Sequence, residues 1–264
     1  SEAIFEHYLP RFAGDILPSS PTGIAVSLAE KIDNLVGCFC IGIKPTGSQD
    51  PYALRRQALG IVNIILDKGL KLNLETFVAQ AYQGFLPIKP DFSQEDTVKE
   101  VMDFIRQRLR GVLLEKGISY DVIDAVFSLS GGDISDILIR TQMVQNFKQS
   151  ELFPDFMVVY NRTNNLSKKW NSENVALSVL EDDSEKELYN MYLQIKSVVA
   201  DHLNKHDYVS ALEVLAGLRP QVDRFFEAVM IMVDNQELKA ARLGILKAIT
   251  NLCNSIADFS KIII

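Results

Sequence analysis

Apolar residues recur at helical spacing along nearly the whole chain, and no stretch alternates apolar and polar positions as a half-buried strand would. Ile24, Leu28, Ile32 and Leu35 form one stripe, and Ala53, Leu54, Ala58, Ile61 and Ile65 a second. Leu74, Phe77, Val78, Ala81 and Tyr82 form a third, stopped by Gly84 and Pro87. The segment Pro87-Ile88-Lys89-Pro90-Asp91-Phe92 marks a boundary, because each proline removes an amide donor and disfavours helix in the residue before it. Ser93 with Asp96 resembles a capping box opening a helix that carries Val98, Val101, Met102, Ile105 and Leu109. Further helices are expected over 120–129, after Gly131-Gly132-Asp133 and after Phe153-Pro154. A polar loop follows, bracketed by Lys168-Lys169-Trp170 and Glu181-Asp182-Asp183. Ser184 with Glu187 predicts the next helix start, ahead of Leu188, Tyr192, Ile195 and Val199. Leu238, Ala241, Ile245, Ile249, Leu252 and Ile256 finish the chain with an amphipathic helix. The pattern predicts an all-α chain in three parts: a helical domain over 1–87, a helical connector over 88–150 and a helical bundle over 151–264.

The segment from Lys44 to Arg56 breaks this monotony. Pro45 and Gly47 make a turn, Asp50 is placed to cap a helix, and Pro51 suits a first helical position because its missing N–H would have no partner there. The helix is therefore expected to start at Pro51. Arg55 and Arg56 then project near its entry, a plausible phosphate contact.

Composition narrows the field. With 264 residues, 47% of them hydrophobic, the chain can bury a substantial core. A net charge of −7 argues against coating nucleic acid by bulk electrostatics, so any RNA contact must be local. Three cysteines, with Cys38 and Cys40 one residue apart, give neither a disulfide framework nor a CxxC zinc spacing and read as core residues of a protein in a reducing compartment. No basic-then-apolar leader is seen, and no apolar run approaches the roughly 20 residues that span a bilayer. The expected location is cytoplasmic, away from membranes.

Local basic and polar groups are the candidate RNA contacts. Arg162, Asn165 and Lys169 fall at i, i+3 and i+7, one helix face, beside an apolar stripe of Val159, Thr163, Leu166 and Trp170. Arg162, Lys168 and Lys169 offer charge to phosphates, and Asn165 offers a donor and an acceptor to an unstacked base. In the helix after Ser93, Arg106 and Arg110 lie one turn apart and are a better pair than either makes with Arg108. Phe225 and Phe226 fit a buried stripe with Val222 and Val229. His202 and His206 are spaced to share a helix face, but no Glu follows His202, so the zinc-protease motif is absent. Neither a Gly-Lys-Ser/Thr phosphate loop nor a Gly-x-Ser-x-Gly elbow occurs.

Three blocks in order carry a resemblance: His7-Tyr8-Leu9-Pro10-Arg11-Phe12-Ala13-Gly14-Asp15, Ala29-Glu30-Lys31-Ile32-Asp33-Asn34-Leu35-Val36-Gly37, and Lys44 to Arg56. They are similar to the bacterial glycyl-tRNA synthetase beta subunit. Pro220-Gln221-Val222-Asp223-Arg224-Phe225-Phe226, with Arg242-Leu243 downstream, is similar to that family's C-terminal anticodon-binding domain, and Arg162-Thr163-Asn164-Asn165-Leu166 resembles one of its elements, with Asn161 where a lysine is expected. The resemblance implies the C-terminal portion of such a subunit: the end of an HD-like helical domain, then an anticodon-binding domain. It implies tRNA-Gly and a separate alpha subunit as partners, an alpha2beta2 complete enzyme, and ATP and magnesium for glycine attachment, with no cofactor and no catalytic residue in this portion. HD phosphohydrolase chemistry needs several imidazole ligands and a His-Asp pair. Residues 1–87 hold one histidine, His7, and Glu30 stands where the family has an aspartate, with Asp33 kept and Glu30, Lys31 and Asp33 expected to form a solvated face. A residual phosphohydrolase and a passive assembly scaffold are the alternative functions, distinguished by metal analysis and by tRNA binding.

Overall fold

Capping side chains fix where many of the helices begin. The computed structural model describes residues 2–129 and 133–264, so Gly131 and Gly132, which precede one of the expected helices, lie outside the described residues. Twelve helices are seen there: α1 Glu2–Glu6, α2 Pro21–Cys40, α3 Leu54–Lys68, α4 Leu74–Phe85, α5 Gln94–Glu115, α6 Tyr120–Phe127, α7 Ile134–Phe147, α8 Phe153–Ser167, α9 Asp183–Asn204, α10 Tyr208–Ala216, α11 Arg219–Ala228 and α12 Gln236–Asn254. The all-α reading holds: no strand occurs among the described residues, which show one isolated bridge, Thr46 to Gln49. Ser20 Oγ accepts the Gly23 amide at 3.0 Å with Pro21 in the first turn of α2, and Ser93 Oγ accepts the Asp96 amide at 3.1 Å at the start of α5. Asn235 accepts the Glu237 and Leu238 amides at 3.1 and 3.2 Å to start α12. The capping box of α9 is not the Ser184–Glu187 pair. Asp182 caps the Ser184 amide at 2.8 Å, and Glu185 reaches back to the Asp182 amide at 2.8 Å. An aspartate two residues earlier competes for the same role, because its carboxylate also complements the helix dipole.

Two compact units divide the chain. The first runs to Gly117 and includes the start of α7 as far as Leu138; the second holds α6 and everything from Ile139 to Ile264. Within the first, α2 packs on α3, α4 and α5, and α5 also packs on α3 and α4. Leu35, Val36, Ile61, Ile64, Val78, Val101 and Leu109 are fully buried between them. The expected connector is thus divided between the two units. Its first helix, α5, buries Val101, Ile105, Leu109 and Leu113 in the first unit, since so wide an apolar stripe must be covered. Phe77, placed in the α4 stripe by spacing, is 45% exposed.

The second unit is built on α8, which packs on α10, α11 and α12, and on α9, which packs on α10, α11 and α12. An aromatic cluster fills one end: Phe156 meets Phe259 at 4.5 Å and Phe147 at 5.7 Å between ring centroids, both edge-on. Tyr160 joins it, and burial pushes its phenol up to about 12. No helix among the described residues is long and apolar enough to cross a membrane.

A buried carboxylate ties α6 into the second unit. Asp121 accepts Lys148 Nζ at 2.6 Å and the Ile263 amide at 2.9 Å. Burial raises its pKa, but donors from Lys148, Ser119 and Ile263 outweigh that and bring it down from 3.8 to about 2. The folded value lies below the unfolded one, so this contribution is complete above the ordinary carboxylate range and is lost as pH falls towards 2. Its size is about 2 kcal/mol. Denaturation of Asp121→Asn at pH 7 and pH 3 should show a loss near neutrality that shrinks in acid; an equal deficit at both pH values would contradict the assignment.

Candidate nucleic-acid interface

The Lys44–Arg56 motif folds into a cross-braced turn. Thr46 and Gln49 exchange amide–carbonyl bonds at 3.1 and 2.8 Å around Gly47, whose φ of +50° suits glycine. The helix does not start at Pro51. Ala53 is left-handed at φ +54°, and α3 begins at Leu54. Asp50 nevertheless serves as the cap, accepting the Leu54 and Arg55 amides at 2.8 and 2.9 Å. Pro51 and Tyr52 form the turn that lets this carboxylate reach forward. Arg55 donates to the Gly47 carbonyl at 2.8 Å, so one of the two arginines braces the turn that precedes it; Arg56 is exposed. Lys44 pairs with Glu100 and lies 5.0 Å over the Phe92 ring.

Arg106 and Arg110 are half-buried on α5, and each has an interaction within the chain. Arg108, passed over at the sequence level, is the α5 arginine that joins Arg55 and Arg56. All three line one cleft of about 820 Å³ in the first unit. Lys31 is a correction. It is 4% exposed rather than solvated, donating to Ser27 Oγ at 2.8 Å and to the His7 carbonyl at 3.2 Å, and burial lowers its pKa.

In the second unit, α8 buries Phe156, Val159, Tyr160, Thr163 and Ser167 and exposes Arg162 and Asn165. Leu166 is 39% exposed, on the open side rather than in the apolar stripe. The helix ends at Ser167, so Lys168 is its C-cap and Lys169 sits in the following turn instead of on a continued face. Both lysines are exposed and free of carboxylates within ion-pair distance among the described residues, and cations here also suit the negative end of the helix dipole. Arg162 is different: it pairs with Asp223 at 2.7 Å and lies 5.5 Å over the Phe226 ring. Asp223 is also held by Arg219, which bridges on to Asp155 at 2.7 Å. The chain of charges fixes the Arg162 guanidinium in place and offsets part of its charge. Phe225 is fully buried, as its spacing predicts, and Phe226 is half-buried under Arg162.

Residues 1–128 match the family model described as glycyl-tRNA synthetase beta subunit, and residues 157–259 match that of the DALR anticodon binding domain. The glycine–tRNA ligase beta subunit of Syntrophomonas wolfei is 60% identical over 263 residues, covering 100% of this chain and 38% of that protein. The chain belongs to the glycyl-tRNA synthetase beta-subunit family. The beta subunits of Desulforamulus reducens and Clostridioides difficile are 43% and 41% identical, again over 100% of this chain and 38% of theirs. The chain thus spans about two-fifths of the length of these curated relatives. The anticodon-domain match takes in α8 from Met157 onward, with its exposed polar end.

The histidines do not form the pair their spacing allows. Helix α9 ends at Asn204, and His206 is left-handed at φ +55°, off the face that carries His202. His206 and Asp207 are adjacent, but Asp207 caps α10 through the Ser210 amide at 3.2 Å and meets His202 Nδ1 at 3.1 Å. Among the described residues no three His, Cys, Asp or Glu side chains are grouped to hold a metal ion.

Proposed function

We propose that this chain is the tRNA-binding and anticodon-recognising part of a glycyl-tRNA synthetase beta subunit. The observation that carries the reading is the anticodon-domain match over 157–259, in which α8 and the turn after it present Arg162, Asn165, Lys168 and Lys169 as exposed side chains. Lys168 and Lys169 would draw in phosphates, Arg162 would be a pre-set planar donor, and Asn165 would contact a base edge. The partners are tRNA-Gly and the alpha subunit, in an alpha2beta2 cytoplasmic enzyme that uses ATP and magnesium. This chain's own contribution is positional. Contacts remote from the reacting atoms hold the tRNA so that its acceptor end arrives at the alpha subunit's site with less entropy left to lose.

The test is the salt dependence of tRNA affinity. Replacing Lys168 and Lys169 together with alanine in the intact subunit should weaken binding about uniformly across tRNA sequences and reduce the slope of log K against log salt by about 2, near one per phosphate contact. A folded double variant with the wild-type slope would remove both lysines from the interface.

A further inference from the structure

Three arginines converge in the first unit without an acidic partner. Arg55 and Arg56 on α3 and Arg108 on α5 line the same open cleft of about 820 Å³, and α3 packs directly on α5. Arg55 is tied only to the Gly47 carbonyl. Arg108 donates to the Phe104 carbonyl at 3.2 Å and to Gln107 Oε1 at 3.0 Å, and its guanidinium lies 4.0 Å from the Phe104 ring centroid. No carboxylate lies within ion-pair distance of any of the three among the described residues, although Arg11, Lys44 and Lys68 nearby all have one. Burial and the adjacent Arg55 both lower the Arg108 pKa, against a smaller opposing pull from Asp50. Like charges held together and partly dried out are costly unless something neutralises them.

The acids in the cleft wall do not do so. Asp15 is held by Arg11 at 2.8 Å and Asp67 by Lys68 at 2.8 Å, leaving Glu115 beside Lys116. The start of α3 is not the anion receptor, because Asp50 already takes its first two amides. What remains is a set of planar donors from two packed helices, one of them stacked on a ring, in a cleft far larger than one oxyanion needs. We propose that the Arg55, Arg56 and Arg108 cleft binds the sugar-phosphate backbone of RNA, a contact separate from the α8 surface. Guanidinium forks match phosphate oxygens two at a time, and a cleft of this volume admits more than one nucleotide unit. The cleft is absent from the anticodon-domain match, so the contact does not depend on how α8 is used.

The experiment measures RNA binding by the intact subunit carrying Arg56→Ala, Arg55→Met or Arg108→Met, with folding followed by circular dichroism. Arg56 is exposed, so its variant keeps the test open if Arg108→Met fails to fold through lost packing on Phe104. The expected result is weaker tRNA binding in each folded variant, by a similar factor for native and anticodon-substituted tRNA, with the salt slope reduced by about 1 per arginine. Discrimination between anticodons should be unchanged, which separates this site from the α8 surface. Wild-type affinity and slope in folded Arg56→Ala and Arg55→Met would overturn the proposal. So would unaltered RNA binding together with pyrophosphate that raises the melting temperature of wild type but not of the arginine variants, since the cleft would then be a small-anion site.

Discussion

Arg242→Met is expected to destabilise the second unit by about 3–5 kcal/mol, the usual cost of stranding one member of a buried ion pair. The Glu185 side chain is fully buried and that of Arg242 is 6% exposed. Arg242 donates from Nε to Glu185 and from an Nη to the Met230 carbonyl at 2.6 Å. The second Glu185 oxygen accepts the Glu181 and Asp182 amides at 2.7 and 2.8 Å, so the same carboxylate starts α9 and locks α12 against it. Removing the guanidinium leaves a buried carboxylate with amide donors alone, and leaves a carbonyl without its partner. Adding Glu185→Gln to Arg242→Met should recover part of the loss, because the stranded charge is gone. The Arg224–Glu187 pair, 61% and 48% exposed, is the control and should cost under about 1 kcal/mol when broken. Equilibrium denaturation of the three variants checks this; equal effects at the buried and exposed pairs would contradict it.

Neither the pairing of Glu185 with Arg242 nor its role in capping is visible in the local pattern, where Ser184 and Glu187 compete for the same reading. Local rules succeed where the partner is a few residues away, as at Ser93, or where an apolar stripe is wide, as in α5 and α12. They fail where a distant element decides. Spacing favours Arg106 with Arg110, but the packing of α3 on α5 selects Arg108, since all three arginines flank the buried Ile105 and Leu109 and only the neighbouring helix distinguishes them. The motif at Lys44–Arg56 was legible as a turn and a cap, yet the left-handed Ala53 delays the helix to Leu54. On α8 the exposed Arg162 and Asn165 follow from periodicity, whereas the helix end at Ser167 and the grip of Asp223 on Arg162 do not.

Asn165→Ala is expected to lose about 1–3 kcal/mol of discrimination at one anticodon base, the worth of a good polar contact to a base edge. Asn165 is exposed in the last turn of α8, and its amide has no partner within the chain among the described residues. It has both a donor and an acceptor to give. The neighbouring cations cannot supply the same selectivity, because phosphates are alike in every sequence. Arg162→Met should therefore lower affinity for all tRNAs, and by less than an unpaired arginine would, since Asp223 already offsets part of its charge. An Asn165→Ala variant that weakens every tRNA equally would make this side chain a backbone contact.

The most direct measurement is the ratio of dissociation constants of the intact subunit for tRNA-Gly and for the same tRNA with a substituted anticodon, in wild type and in Asn165→Ala. The account predicts clear preference for the native anticodon in wild type, and a ratio reduced by roughly five-fold to a hundred-fold in the variant, the equivalent of about 1–3 kcal/mol. Equal affinity of the wild-type subunit for both tRNAs, or an unchanged ratio in a folded variant, would contradict the claim that the α8 surface reads the anticodon.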